Sequence, residues 1–203
     1  AEEFIKKHCA AYGIHDVKIV ELDHMTDGQA TTCMLAIPYC NPNDEIIIGT
    51  SCGMAIRFPI EDLRPLGRSA RGVNSMKLRS ADTIIGCDIV PRNYDADLLV
   101  VTSDGFGKRT KLSEFRSQNR GGIGLIATKF KSNMSRLVAL TIVEEKDEIM
   151  MVTANGIVTR IKAGDISCQG RPATGVRAQN LTDNDTVVSV NKIVNTDNSS
   201  NDA

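Results

Sequence analysis

Tryptophan is absent from this 203-residue chain, and aromatic residues make up only 4% of it. That counts against repeat families with a Trp signature, such as WD40. The six cysteines, at positions 9, 33, 40, 52, 87 and 168, form no CxxC pair. The three histidines (His8, His15, His24) sit near the start, and none stands by a Cys pair at zinc spacing, so no metal site is expected. No GxxxxGK[ST], GxSxG or HExxH run occurs, which leaves no expected catalytic residue and no expected cofactor. With no long apolar run and no secretory signal, the expectation is free thiols in a reducing cytosol and no membrane.

Charge is nearly balanced overall, at a formal net −1, but it is unevenly placed. Between residues 45 and 194, Lys and Arg outnumber Asp and Glu by 21 to 16, while the flanks hold 3 basic against 9 acidic residues. A basic body with acidic ends sets the local field that a charged partner meets.

What is abundant is repetition. A 24-residue pattern recurs without a gap from Thr50, Thr102 and Thr153. The three copies read TSCGMAIRFPIEDLRPLGRSARGV, TSDGFGKRTKLSEFRSQNRGGIGL and TANGIVTRIKAGDISCQGRPATGV. Five columns are invariant: the opening Thr; Gly53, Gly105 and Gly156; Arg57, Arg109 and Arg160; Arg68, Arg120 and Arg171; Gly72, Gly124 and Gly175. A period near 50 residues marks stacked or radial supersecondary units.

Each unit opens on a short apolar run (45–50, 97–102, 148–153) that reads as a buried strand. A turn ending in Gly follows; Asp104-Gly105 and Asn155-Gly156 suggest a type I′ hairpin, which needs positive φ at both central positions. The return strand carries the first Arg column, and a loop carries the second. Two more strands are expected after the loop, at 73–78, 125–130 and 176–181, then at 83–90, 136–143 and 186–194. Four strands per unit make an all-β, propeller-like array of blades at 45–90, 97–143 and 148–194. Residues 1–44 do not align with the repeat and are expected to be a degenerate or truncated unit, with a helix over the first dozen residues or so and strands at 17–22 and 31–38. Residues 195–203 are polar and expected to be disordered.

The runs LLVVTSDGFGKRTKLSEFRSQNRGGIG and DEIMMVTANGIVTRIKAGDISCQGRPATGVRAQNL resemble consecutive blades of the C-terminal domain found in the A subunit of DNA gyrase, and GRSARGVNSMKL fits the same family. The resemblance implies a β-pinwheel whose basic rim binds and wraps duplex DNA, so that the holoenzyme of gyrase A and B subunits introduces negative supercoils using ATP. It also implies a bacterial, nucleoid-associated cytoplasmic setting, or an organellar one. The family's box is Gln-Arg-Arg-Gly-Gly-Lys-Gly. Its nearest match here is Gln118-Asn119-Arg120-Gly121-Gly122-Ile123-Gly124, with Asn119 and Ile123 at two basic positions. Two alternatives stay open: the matching domain of topoisomerase IV, and a propeller-like protein-interaction module. A topoisomerase's strand-cleaving Tyr needs an arginine-flanked site, which Tyr12, Tyr39 and Tyr94 lack.

The candidate DNA contacts follow. Arg57, Arg109 and Arg160 either touch phosphate or pair with an acidic neighbour such as Asp62, Glu114 or Asp165, a column that repeats five residues on. Arg68, Arg120 and Arg171 stand beside glycines, where backbone N–H groups approach a phosphate unhindered and a guanidinium can bind it bidentately. Arg71, Lys108, Lys111, Arg116, Lys162 and Arg177 add positive charge, as contacts or as solvated surface.

Overall fold

A computed structural model describes residues 43–63, 72–91 and 93–193. These fall within one compact unit, Cys40–Ile193. The expectations for residues 1–42 and 194–203, and the positions Arg68 and Arg71, lie outside the described residues.

Eleven strands are described: β1 (Glu45–Thr50), β2 (Met54–Pro59), β3 (Ile84–Val90), β4 (Asp97–Thr102), β5 (Phe106–Lys111), β6 (Leu125–Ile126), β7 (Leu137–Val143), β8 (Glu148–Thr153), β9 (Val158–Lys162), β10 (Val176–Arg177) and β11 (Val187–Ile193). Only three-residue 3-10 turns interrupt them, at Ile60–Asp62, Leu112–Glu114 and Ala163–Asp165, each just after the Arg-bearing strand. The fold is an all-β pinwheel.

Three antiparallel sheets form, ordered β3-β1-β2-β6, β10-β5-β4-β7 and β11-β8-β9. The strand after each glycine loop does not join its own repeat. β6, from the second repeat, pairs with β2 of the first, with Met54 opposite Ile126. β10, from the third, pairs with β5 of the second, with Arg177 opposite Phe106. Two of the sheets are four-stranded, as the sequence suggests, but one strand of each comes from the following repeat and not from the same 50-residue unit. The third sheet has three strands among the described residues, and 73–78 carries no strand.

Period-2 alternation explains how a central sheet is buried on both faces. In β4, Leu98 and Val100 pack with Ile47 and Val90 of the first sheet, while Leu99 and Val101 pack with Ile149 and Met151 of the third. The repeats are thereby laid face to face.

The hairpin turns differ from the type I′ expectation. Gly53, Gly105 and Gly156 have φ of 78°, 80° and 83°, but the preceding Cys52, Asp104 and Asn155 are not in the positive-φ region. Each Gly N–H donates back to the carbonyl of the shared Thr, at 2.9, 3.0 and 3.0 Å. This is a three-residue loop closed by a left-handed Gly, the other common hairpin geometry. The shared Thr also has a role: the Oγ1 of Thr50, Thr102 and Thr153 accepts the N–H of Met54, Phe106 and Ile157.

Candidate nucleic-acid interface

The first Arg column binds inward and onward. Arg57 lies opposite Ile47, so it shares a face with Glu45, and its Nε donates to Glu45 at 2.6 Å. Its Nη1 donates to the Leu112 carbonyl at 3.0 Å, in the 3-10 turn of the next repeat. Arg109 repeats the arrangement: Nη1 pairs with Asp97 at 2.6 Å and with Glu145 at 3.2 Å, and Nε donates to the Ile166 carbonyl at 2.8 Å. Arg160 pairs with Glu148. The carboxylate partners are therefore Glu45, Asp97 and Glu148, twelve residues upstream, and not the Asp62, Glu114, Asp165 column. Hairpin register decides this, since residues diagonal across the pair share a face.

The second Arg column sits where successive repeats meet. Arg120 donates through Nη1 to the Asn74 carbonyl at 2.5 Å and through Nε to the Asp62 carbonyl at 3.2 Å. Its loop is stitched to the first repeat by Gly121 N–H to Ser75 O and Lys77 N–H to Gly122 O, at 2.9 and 2.8 Å. Arg171 reproduces this one repeat later, donating to the Ile126 carbonyl at 3.1 Å, with Lys129 N–H to Ala173 O beside it. A guanidinium has five N–H donors, so both arginines retain donors for an anion.

The loop glycines are needed on two counts. Gly124 and Gly175 have φ of 84° and 96°, and an added Cβ would lie 2.5 Å from the carbonyl oxygens of Ala55 and Gly107. Only Gly lets the chain cross this close to the previous sheet.

The remaining candidates divide. Lys108 is fully buried, and its ammonium donates to the Gly170 and Arg171 carbonyls at 2.7 and 2.5 Å, beneath the loop that carries Arg171. Burial brings its pKa down to about 8; Glu114 opposes this and Arg171 adds to it. Lys111 pairs with Asp97 at 3.0 Å, and that contact raises its pKa. Arg116, Lys162 and Arg177 are exposed and form no ion pair among the described residues. Within the box, Asn119 and Ile123 are exposed, and Gln118 donates its backbone N–H to the Arg57 carbonyl at 2.8 Å.

Four cations at these junctions escaped the sequence reading. Lys77 and Arg79 in the first repeat match Lys129 and Lys131 in the second, all exposed and without a carboxylate partner among the described residues. They recur at the repeat spacing just past the 24-residue window, so the column was there to be found. Together with Arg120, Arg171 and Arg177, which form no ion pair among the described residues, they gather positive charge where neighbouring repeats meet, although the Glu114 carboxylate accepts the Arg171 backbone N–H at 3.1 Å.

Sheets that exchange a strand with the next repeat, held by an Arg column and joined at glycine loops, define a β-pinwheel domain. The sequence model described as "DNA gyrase C-terminal domain, beta-propeller" matches residues 44–91, 96–144 and 147–193, and the chain belongs to that family. The A subunit of DNA gyrase from Staphylococcus epidermidis is 39% identical over 160 residues, which cover 79% of this chain and 18% of that protein. Its counterpart from Staphylococcus aureus matches with the same figures. The chain thus spans under a fifth of the length of these relatives. A solved DNA gyrase A C-terminal domain superposes with TM-score 0.69 at 31% identity, covering 76% of this chain and 52% of that one. A solved C-terminal domain of DNA topoisomerase IV gives TM-score 0.70 at 27% identity, covering 75% and 47%.

Proposed function

We propose that this chain is the DNA-wrapping domain of a gyrase A protein. It binds duplex DNA on its basic repeat junctions and supports ATP-dependent negative supercoiling by a holoenzyme that the rest of gyrase A completes together with gyrase B, at the nucleoid in the bacterial cytoplasm. The domain itself carries no catalytic group and needs no cofactor, since strand cleavage and ATP hydrolysis belong to other domains of that assembly. The observation that carries this reading is the row of cations without carboxylate partners among the described residues at the two equivalent junctions, on or beside glycine loops whose backbone can approach a phosphate closely. Among the solved domains, identity is 31% to gyrase A against 27% to topoisomerase IV, and the 39% identity to gyrase A proteins points the same way.

Contacts to phosphate release counterions, so binding to duplex DNA of mixed sequence weakens with salt at a log–log slope of about −0.9 per contact. Replacing Arg120 and Arg171 together with Ala makes that slope shallower by about 1.8. A wild-type slope near zero, or strict preference for one short sequence, overturns the proposal.

A further inference from the structure

Phe106 holds two cations from different elements. Arg177, its cross-strand partner on β10, places its guanidinium carbon 5.1 Å from the ring centroid. Lys131, from the segment after β6, places its ammonium 4.8 Å from the same centroid. Both side chains are exposed, and neither forms an ion pair among the described residues.

The fold does not require this arrangement. The equivalent cross-strand pair in the first sheet is Met54 opposite Ile126, two apolar side chains that build the same β2–β6 contact. At the second junction the apolar pair is replaced by an aromatic ring and an arginine, and Lys131 is added. An aromatic face attracts a cation through its quadrupole, which fixes two otherwise flexible side chains. The two charges stay no farther apart than about 10 Å, the sum of the two ring distances. With neither ion-paired among the described residues, they form a preorganised pair of positive groups that a polyanion would neutralise. One strand of duplex DNA offers a phosphate about every 3.4 Å along the helix axis, so both cations can bind the backbone at once.

We propose that Phe106, Lys131 and Arg177 form a two-cation clamp for the phosphodiester backbone, in which Phe106 is a positioning residue. The clamp rests on the DNA-binding reading above and adds a contact that lies outside the family's box.

The test is a salt titration of the full 203-residue chain on a mixed-sequence duplex of about 30 base pairs, with melting curves as a folding control. Lys131→Ala with Arg177→Ala should make the log–log slope shallower by about 1.8 and weaken binding about tenfold at moderate salt. Phe106→Met, which copies the first sheet, should weaken binding without changing the slope, because the cations remain but lose their platform. Phe106→Tyr should restore it. If wild type shows a steep slope and the double variant matches it in slope and affinity, the clamp is overturned while the DNA-binding reading stands. If Phe106→Met binds as wild type does, the ring is only packing and the positioning role is overturned. A wild-type slope near zero removes the DNA-binding reading and the clamp together.

Discussion

Arg109 in the second repeat donates its Nε to the carbonyl of Ile166 in the third, at 2.8 Å, while its Nη1 holds Asp97 within its own sheet. One side chain thus locks a hairpin and grips the next repeat. Arg57 does the same one repeat earlier, on the carbonyls of Leu112 and Phe115. Arg160 is paired with Glu148 but meets no carbonyl of a following repeat among the described residues, and its side chain is 59% exposed against 6% for Arg109.

That contrast predicts unequal costs within one invariant column. Arg109→Ala leaves Asp97 buried with Lys111 alone, among the described residues, at its other oxygen, and removing one partner of a buried pair costs about 3–5 kcal/mol. Arg160→Ala should leave the unfolding midpoint nearly unchanged, because exposed ion pairs contribute little. Urea unfolding of the two variants checks this. Equal losses would mean that the column serves one structural purpose throughout.

Glycine gives a second contrast. Gly156 and Gly124 have nearly the same φ, 83° and 84°, but a Cβ at Gly156 meets nothing within 4 Å, whereas one at Gly124 meets the Ala55 carbonyl. Gly156→Ala should cost about 1–2 kcal/mol, the backbone penalty alone. Gly124→Ala should cost about 3 kcal/mol or more, because the β2–β6 pairing must also give way. Equal destabilisation in denaturant titrations would show that the close approach relaxes freely.

The repeat, the hairpins and the all-β class were legible because they are local: apolar alternation, a glycine at a fixed offset and a period near 50 residues. Strand exchange was not. Leu125-Ile126 and Val176-Arg177 carry no mark of which sheet they will join, since two residues of strand have the same pattern wherever they pair. The partners of the first Arg column were readable in principle, because a three-residue loop puts Glu45 diagonal to Arg57 and Asp97 diagonal to Arg109. Sequence proximity pointed instead to Asp62, Glu114 and Asp165, which sit in the 3-10 turns beyond the strand. Lys108 was invisible as a buried cation. Its position holds Ile56 in the first repeat, where the matching loop packs on an apolar side chain.

Lys108 therefore sets a pH dependence. Its pKa falls from the ordinary 10.5 to about 8 because burial disfavours the ammonium. Between those values the unfolded chain binds the proton and the folded chain does not, so stability rises with pH across the window and is flat below it as far as this group is concerned. At about 1.4 kcal/mol per unit, discounted for the two carbonyls that the ammonium still binds, the rise is about 1–3 kcal/mol. Lys108→Met should abolish it. Urea midpoints for both proteins at pH 7 and pH 10 decide the matter: a parallel pH dependence in the two would show that Lys108 keeps its proton when folded.

The last prediction concerns the box at the first junction. Asn119 and Ile123 stand where the family pattern has basic residues, and Ile123 is 49% exposed, so neither position is committed to the core. Gly121 and Gly124 already have positive φ, and the loop is fastened to 75–77 by two backbone hydrogen bonds. The scaffold for a close phosphate approach is therefore present, and what is missing is charge. Bending a duplex of 20–30 base pairs through tens of degrees costs about 1–6 kcal/mol by elastic estimates. Arg120 is the one basic residue left in the box and by itself supplies little against that, so the chain should bind DNA moderately and bend it weakly. Asn119→Arg with Ile123→Lys should steepen the log–log salt slope by about 1.8, tighten binding and increase the bend. Surface substitutions of this kind typically move stability by about 0.5 kcal/mol or less, so the melting temperature should hold. A fluorescence bending assay at fixed salt, run beside the salt titration, reads both effects. If wild type already bends DNA fully and the double variant changes neither bend nor slope, the box is not the limiting element, and the junction cations Lys77, Arg79, Lys129 and Lys131 carry the wrap.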